Sequence, residues 1–254
     1  MILAIDIGNS TVTLGGFSDD KLSFFANIAT DTRATSDDYA CRILGALSLY
    51  GVDRHSVNGA IIGSVVPTLS SVISNTVKTV FNVEALTVGP GIKTGIGILC
   101  DNPSSVGADL IAAAVGAHFT YGDPSLIVDM GTATKMTVVN SKGAFIGTSI
   151  MPGVMMGIDA LSTRTAQLPK VSPTAPDSIV GKNTADCIKS GIIYGTASMI
   201  DGMIERINRE LGEELKVYVT GGYAPLVAPY CKQKMTCNEH LVLTGLYIIY
   251  KRNS

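Results

Sequence analysis

The sequence predicts an α/β protein made of two similar halves. One observation is that short apolar runs alternate with longer stretches of helical periodicity along the whole chain. The other is an internal repeat. The opening run Leu3-Ala-Ile-Asp6-Ile-Gly8-Asn-Ser-Thr11 recurs as Val128-Asp129-Met-Gly131-Thr-Ala-Thr134 after the apolar pair Leu126-Ile127. With Asp6 aligned on Asp129, Gly8 falls on Gly131 and Thr11 on Thr134. A buried strand that feeds a tight glycine turn, twice, implies one structural unit used twice.

The elements follow in order. Residues 1–7 and 12–17 read as strands on either side of the first turn. The 37–50 stretch reads as a helix with Ser36 as its cap and Tyr39, Ile43, Leu44 and Leu47 on one face. Residues 60–66 form a short buried strand ended by Pro67. Leu69, Val72, Ile73, Thr76, Val77 and Val80 then fall on one helical stripe, and a strand follows at 85–88. From Gly89-Pro90-Gly91 to about Asn102-Pro103 the chain is a glycine-rich loop, a natural place for a binding surface. Residues 107–119 read as an alanine-rich helix that can pack closely.

The boundary between halves is expected near 120, giving domains 1–120 and 121–254. In the second half, strands are expected at 126–129, 136–139 and 144–150. Met151-Pro152-Gly153 breaks the chain before a helix over 154–161, and a proline-containing connection covers 171–176. The longest helical pattern covers 184–209, where Ile188, Ile192, Met199, Met203 and Ile207 can line one side. A strand at 217–220 runs into Gly221-Gly222, and an apolar helix occupies 241–250.

Composition narrows the function. The chain has 254 residues, 46% hydrophobic and 16% charged, which fits large buried cores rather than disorder. The net charge of −2 gives no basic footprint for nucleic acid. No apolar run is long enough to span a bilayer, and the N-terminal run lacks the basic start of a signal peptide. The five cysteines are scattered without metal-ligand spacing and read as reduced, mostly buried residues of a cytoplasmic protein.

Three strand-end turns remain as candidate chemistry: Asp6-Ile-Gly-Asn-Ser-Thr, Asp129-Met-Gly-Thr-Ala-Thr and Thr220-Gly-Gly. The first two offer a carboxylate, backbone N–H groups and hydroxyls at one spot, which suits a phosphate with its cation. A turn whose Asp and Thr only satisfy backbone groups is the plainer alternative. There is no P-loop, no G-x-G-x-x-G after a strand and no G-x-S-x-G. Together, three glycine turns in two repeated halves resemble the actin/Hsp70/sugar-kinase layout. That layout has two actin-like, ribonuclease H-like domains with a nucleotide cleft between them.

Within that layout the chain resembles the type III pantothenate kinases nearly end to end. The resemblance is carried by Asp6-Ile-Gly-Asn-Ser, Ser64-Val-Val-Pro67, Asp101-Asn-Pro103, Gly107-Ala-Asp109, Asp129-Met-Gly-Thr-Ala-Thr134, Pro152-Gly153, Thr165-Ala-Gln-Leu-Pro169, Gly181-Lys-Asn-Thr184, Ser190-Gly191, Thr220-Gly-Gly222 and Leu241-Val-Leu-Thr-Gly245. It implies ATP-dependent phosphorylation of pantothenate at its primary hydroxyl, the first step toward coenzyme A. It also implies Mg²⁺, a monovalent cation (K⁺ or NH₄⁺) and a homodimer.

The resemblance also distributes roles. Asp109, beside Gly107 and Ala108 in the substrate site, is the expected general base. A carboxylate that favours a helix start is its plainer role. Asp6 is suited to hydrated Mg²⁺, while Gly8, Asn9, Ser10, Thr11 and Thr132 can cradle ATP phosphates. Asp129 corresponds to the monovalent-cation ligand. Thr184 corresponds to a pantothenate-contacting threonine supplied by the partner subunit, and it can equally cap the long helix. Three positions depart from the family: Leu110 where Arg is usual, Lys135-Met136-Thr137 where Thr-Phe-Asp is usual, and Cys100 where many members carry Tyr. Lys135 either restores positive charge in the cleft or points to solvent. The alternatives to this kinase are a non-catalytic regulatory protein and a kinase for a related small hydroxy compound on the same fold.

Overall fold

The computed structural model describes Met1–Ser254. It divides into one unit of Met1–Tyr121 with His240–Ser254, and a second of Gly122–Glu239. The first boundary lies one residue from the expected one. The C-terminal segment, expected in the second half, belongs instead to the first unit.

The first unit contains strands β1 (Ile2–Ile7), β2 (Thr11–Ser18), β3 (Lys21–Ala29), β4 (Gly59–Ser64) and β5 (Ala85–Thr87), with a short β6 (Gly97–Ile98) in the glycine-rich loop. Its helices are α1 (Ser36–Leu49), α2 (Pro67–Phe81) and α3 (Ala108–Tyr121). The second unit contains β7 (Ser125–Met130), β8 (Ala133–Val139), β9 (Ala144–Pro152), α4 (Val154–Arg164), α5 (Thr184–Leu211), β10 (Lys216–Thr220), α6 (Ala224–Val227) and β11 (Met235–Cys237). Helix α7 (Leu241–Asn253) returns to the first unit.

The repeat seen in the sequence is a repeat of topology. The first sheet has the order β3-β2-β1-β4-β5, and the second unit runs β9-β8-β7-β10-β11. In each, two antiparallel pairings come first and two parallel pairings follow. The aligned turns differ in one respect. Ile7 pairs with Val12, whereas Met130 pairs with Thr134. The first turn is therefore one residue longer, and Thr134 corresponds to Val12 rather than to Thr11. An ungapped alignment could not reveal that insertion.

Alternation along β1 explains the layers. Leu3, Ile5 and Ile7 pack with Tyr39, Ile43 and Leu47 of α1 and Leu69, Ile73 and Val77 of α2. Ala4 points the other way, into a cluster with Ile111 and Val115 of α3 and Leu243, Leu246 and Ile249 of α7. The C-terminal helix is thus half of the first unit's second helical layer. In the second unit, Leu126, Val128 and Met130 pack against Val154 and Ile158 of α4 and Ile193, Ala197, Ile200 and Ile204 of α5. The buried stripe of α5 runs through these last four residues; Ile192, Met199, Met203 and Ile207 flank it half-buried.

Several expectations change in detail. Thr35, not Ser36, caps α1, in a capping box with Asp38. Asn183, not Thr184, caps α5, accepting from Asp186 N at 2.9 Å. β3 was not foreseen. It is formed by a hairpin whose turn residues Asp19 and Asp20 have φ of 50° and 61°. Two adjacent left-handed residues make the turn that matches strand twist. The three-residue edge strand β11 was likewise not foreseen. The cysteines are free, but Cys41, Cys187 and Cys237 are exposed rather than buried. No helix is long and apolar enough to cross a membrane.

Candidate active site

The first glycine turn is built at the end of β1. Asp6, half-buried, lies between Thr13 of β2 and Gly63 of β4, neither of them charged. Gly8 N donates to Thr11 O at 3.0 Å and closes the turn. A Cβ on Gly8 would approach that same oxygen to 3.0 Å, so the turn favours glycine here. Asn9 and Ser10 are exposed at its tip, with Gly8 and Thr11 half-buried at its base. Thr30, directly after β3, braces it: its Oγ1 donates to Gly8 O at 2.7 Å and its N to Ser10 O at 3.1 Å. Sequence reasoning missed Thr30 because it missed β3. The Asp19-Asp20 turn was the signal that could have found it.

The expected base sits in the first turn of α3. Asp109 is half-buried in the first turn of α3, and its Oδ1 accepts from Leu110 N at 2.8 Å. The plainer role of a carboxylate at the helix start is therefore present. A Cβ on Gly107 would lie 2.5 Å from Asp109 Oδ1 and 3.6 Å from Val65 Cγ1. Gly107 thus makes room for the carboxylate. Val65 N in turn donates to Ile7 O at 3.0 Å, next to Asp6. Gly107, at the start of α3, therefore lies near Val65, whose N–H bonds the end of β1. Leu110 is buried, so an arginine here would have to bury its charge.

The second turn is held differently. Gly153 backs it, since a Cβ there would collide with Thr132 O and lie 2.7 Å from Gly131 O. Gly221, with φ of +93°, presses on its other side: a Cβ would lie 2.6 Å from Asp129 Oδ1 and 2.6 Å from Met130 O. Tyr223 N then donates to Met130 O at 3.0 Å. Thr132 is exposed at the tip, while Thr134 is buried and its Oγ1 makes no hydrogen bond. Of the Thr220-Gly-Gly pair, Gly221 serves this packing and Gly222 faces open space.

Asp129 carries an ion pair that the sequence did not foresee. Lys135 is its direct antiparallel partner across β7 and β8, and Lys135 Nζ lies 2.7 Å from Asp129 Oδ2. The two side chains are 17% and 15% exposed. Lys135 is therefore tied to Asp129 at the second turn rather than pointing to solvent. Thr184 is exposed at the first turn of α5, where Asn183 and Asp186 make the capping bonds. Cys100 is half-buried in the loop before α3.

The chemistry of the donors can be tested against the groups a kinase needs. Asp6 fits hydrated Mg²⁺: it is a strand-end carboxylate with uncharged strand neighbours and hydroxyls beyond it. Asp129 does not fit a free monovalent cation, because the Lys135 ammonium already holds one of its oxygens.

The family model of the type III pantothenate kinases matches residues 2–206. The chain is 39% identical over 255 residues to the type III pantothenate kinase of Moorella thermoacetica, covering all of both chains. It is 39% identical over 253 residues to that of Halalkalibacterium halodurans, again covering all of both. In fold it is similar to the ROK hexokinase of Thermus thermophilus, with a TM-score of 0.51, 13% identity and 100% and 99% of the two chains covered. The two repeated units with their glycine turns, and the full-length match, place this chain in the type III pantothenate kinase family.

Proposed function

We propose that the chain transfers the γ-phosphoryl group of ATP to the primary hydroxyl of pantothenate, with Asp109 as the general base. The observation that carries the role of Asp109 is the Gly107 notch, which admits its carboxylate beside the end of β1. Asp109 takes the hydroxyl proton as the oxygen bonds to phosphorus and the bond to ADP breaks. Gly8, Asn9, Ser10 and Thr11 hold phosphate oxygens by N–H and O–H donors, and Thr132 supplies a further grip. Mg²⁺, when bound near Asp6, supplies neutralisation of phosphate charge.

The family supports a cytoplasmic homodimer in which Thr184 of one subunit contacts pantothenate in the other. The exposed position of Thr184, with the helix cap supplied by Asn183, is compatible with that role. The experiment is product identification by mass spectrometry with ATP, Mg²⁺ and pantothenate, set beside a panel of small hydroxy acids and sugars. Phosphopantothenate as the dominant product is expected. Turnover of another alcohol, with none of pantothenate, would overturn the assignment.

A further inference from the structure

We infer that the ammonium of Lys135 is the resident cation of the second phosphate turn, so that this chain works without an added monovalent ion. The inference rests on the kinase reading of the same turn and deepens it.

The placement is dictated by the strand register. Asp129 and Lys135 face each other directly across β7 and β8, where paired side chains share one face of the sheet. The flexible stem of the lysine brings its charge to 2.7 Å from Oδ2. The other oxygen, Oδ1, lies beside Gly221 and Gly131, where added Cβ atoms would come to 2.6 and 3.5 Å from it. A free ion would have to displace the ammonium and leave it largely buried without its counter-charge, which is costly. A tethered cation also avoids the entropic cost of capturing one from solution.

The first turn makes the contrast. There the residue directly opposite Asp6 is the uncharged Thr13. The two repeats have thus divided the work: one turn recruits its cation from solution, the other carries it on the neighbouring strand. Compact, strongly hydrated and monovalent, a lysine ammonium is a close chemical equivalent of NH₄⁺.

The test compares wild type with Lys135→Met and Lys135→Thr at constant ionic strength in choline, K⁺ or NH₄⁺ chloride. Wild-type kcat/KM is expected to stay within about twofold across the three salts. Both variants are expected to fall in choline, on the order of a hundredfold for a lost charge contact to phosphate, and to recover saturably with NH₄⁺ or K⁺. A second readout needs no turnover: the thermal midpoint with ADP and Mg²⁺ should respond specifically to K⁺ in the variants and not in wild type. A wild type that requires K⁺, or variants whose activity and midpoint ignore every cation, would overturn the inference. Absence of pantothenate phosphorylation in all salts would instead overturn the kinase reading, while the midpoints still decide the cation. Should both variants fail to fold, the wild-type salt comparison alone decides.

Discussion

Gly245 of α7 and Ala112 of α3 touch backbone to backbone: a Cβ on Gly245 would collide with the carbonyl oxygen of Ala112. Gly116 makes the reciprocal approach to Leu241 O. These contacts seat α7 on α3, and α3 carries Asp109 in its first turn. Gly245→Val is expected to force the helices apart, costing about 1–3 kcal/mol or more as overpacking does. The thermal midpoint should fall, and kcat with it. An unchanged midpoint would show that the contact is not needed to seat α3.

Asp201, buried in the middle of α5, anchors the loop before β11. Its carboxylate accepts from Lys232 N at 2.9 and 3.1 Å and from Gln233 N at 3.1 Å. Burial, helped by the Asp201 charge, pushes the Cys231 thiol up to about 12. Asp201→Ala should cost about 2–3 kcal/mol, the worth of charged hydrogen bonds left unmade. A thermal melt should show it, with kcat altered little. Cys231 should stay inert to alkylation at neutral pH while exposed Cys41, Cys187 and Cys237 react.

Stability should depend on pH through Asp20 and Tyr247. The Tyr247 hydroxyl, on a ring stacked over Phe17, donates to Asp20 Oδ1 at 2.6 Å. That bond, then Lys251, holds the Asp20 carboxyl below its usual value, while burial and then Asp20 push Tyr247 up to about 12. A depressed carboxylate contributes above its unfolded value of about 4 and loses that contribution as pH falls. A raised phenol contributes fully below its unfolded value of about 10 and loses it as pH rises toward 12. The midpoint gap between wild type and Tyr247→Phe should therefore be widest near neutral pH and narrow on both sides. A gap flat with pH would refute the coupling.

The Asn183 cap and the proposed substrate contact of Thr184 fall on neighbouring residues. Asn183→Ala should destabilise α5 by about 1 kcal/mol with little change in pantothenate KM. Thr184→Ala should raise that KM and leave the thermal midpoint nearly unchanged. Sedimentation should give a dimer at micromolar concentration. A monomer with full activity would remove Thr184 from the site.

Much of this was legible in the sequence because it rests on local periodicity. The Asp6 and Asp129 turns, the long α5 and the apolar α7 all announce themselves through runs of residues close in the chain. What escaped depends on pairing across distance. β3 alternates between buried and exposed residues and follows an Asp-Asp turn instead of the usual Asn-Gly, so Thr30 went unseen. The extra residue in the first turn hid that Lys135 corresponds to Thr13, and with it the ion pair to Asp129. α7 left its half because Gly245 and Gly116 allow an approach that no propensity predicts.

The proposed chemistry depends on Asp109 acting as a base. Asp109→Asn keeps the shape of the side chain and its acceptor for Leu110 N while removing the base. Rapid-quench turnover of pantothenate with ATP and Mg²⁺ should slow by about 10²–10⁴-fold, with ATP affinity retained. A variant that turns over within a few-fold of wild type would rule out Asp109 as the base.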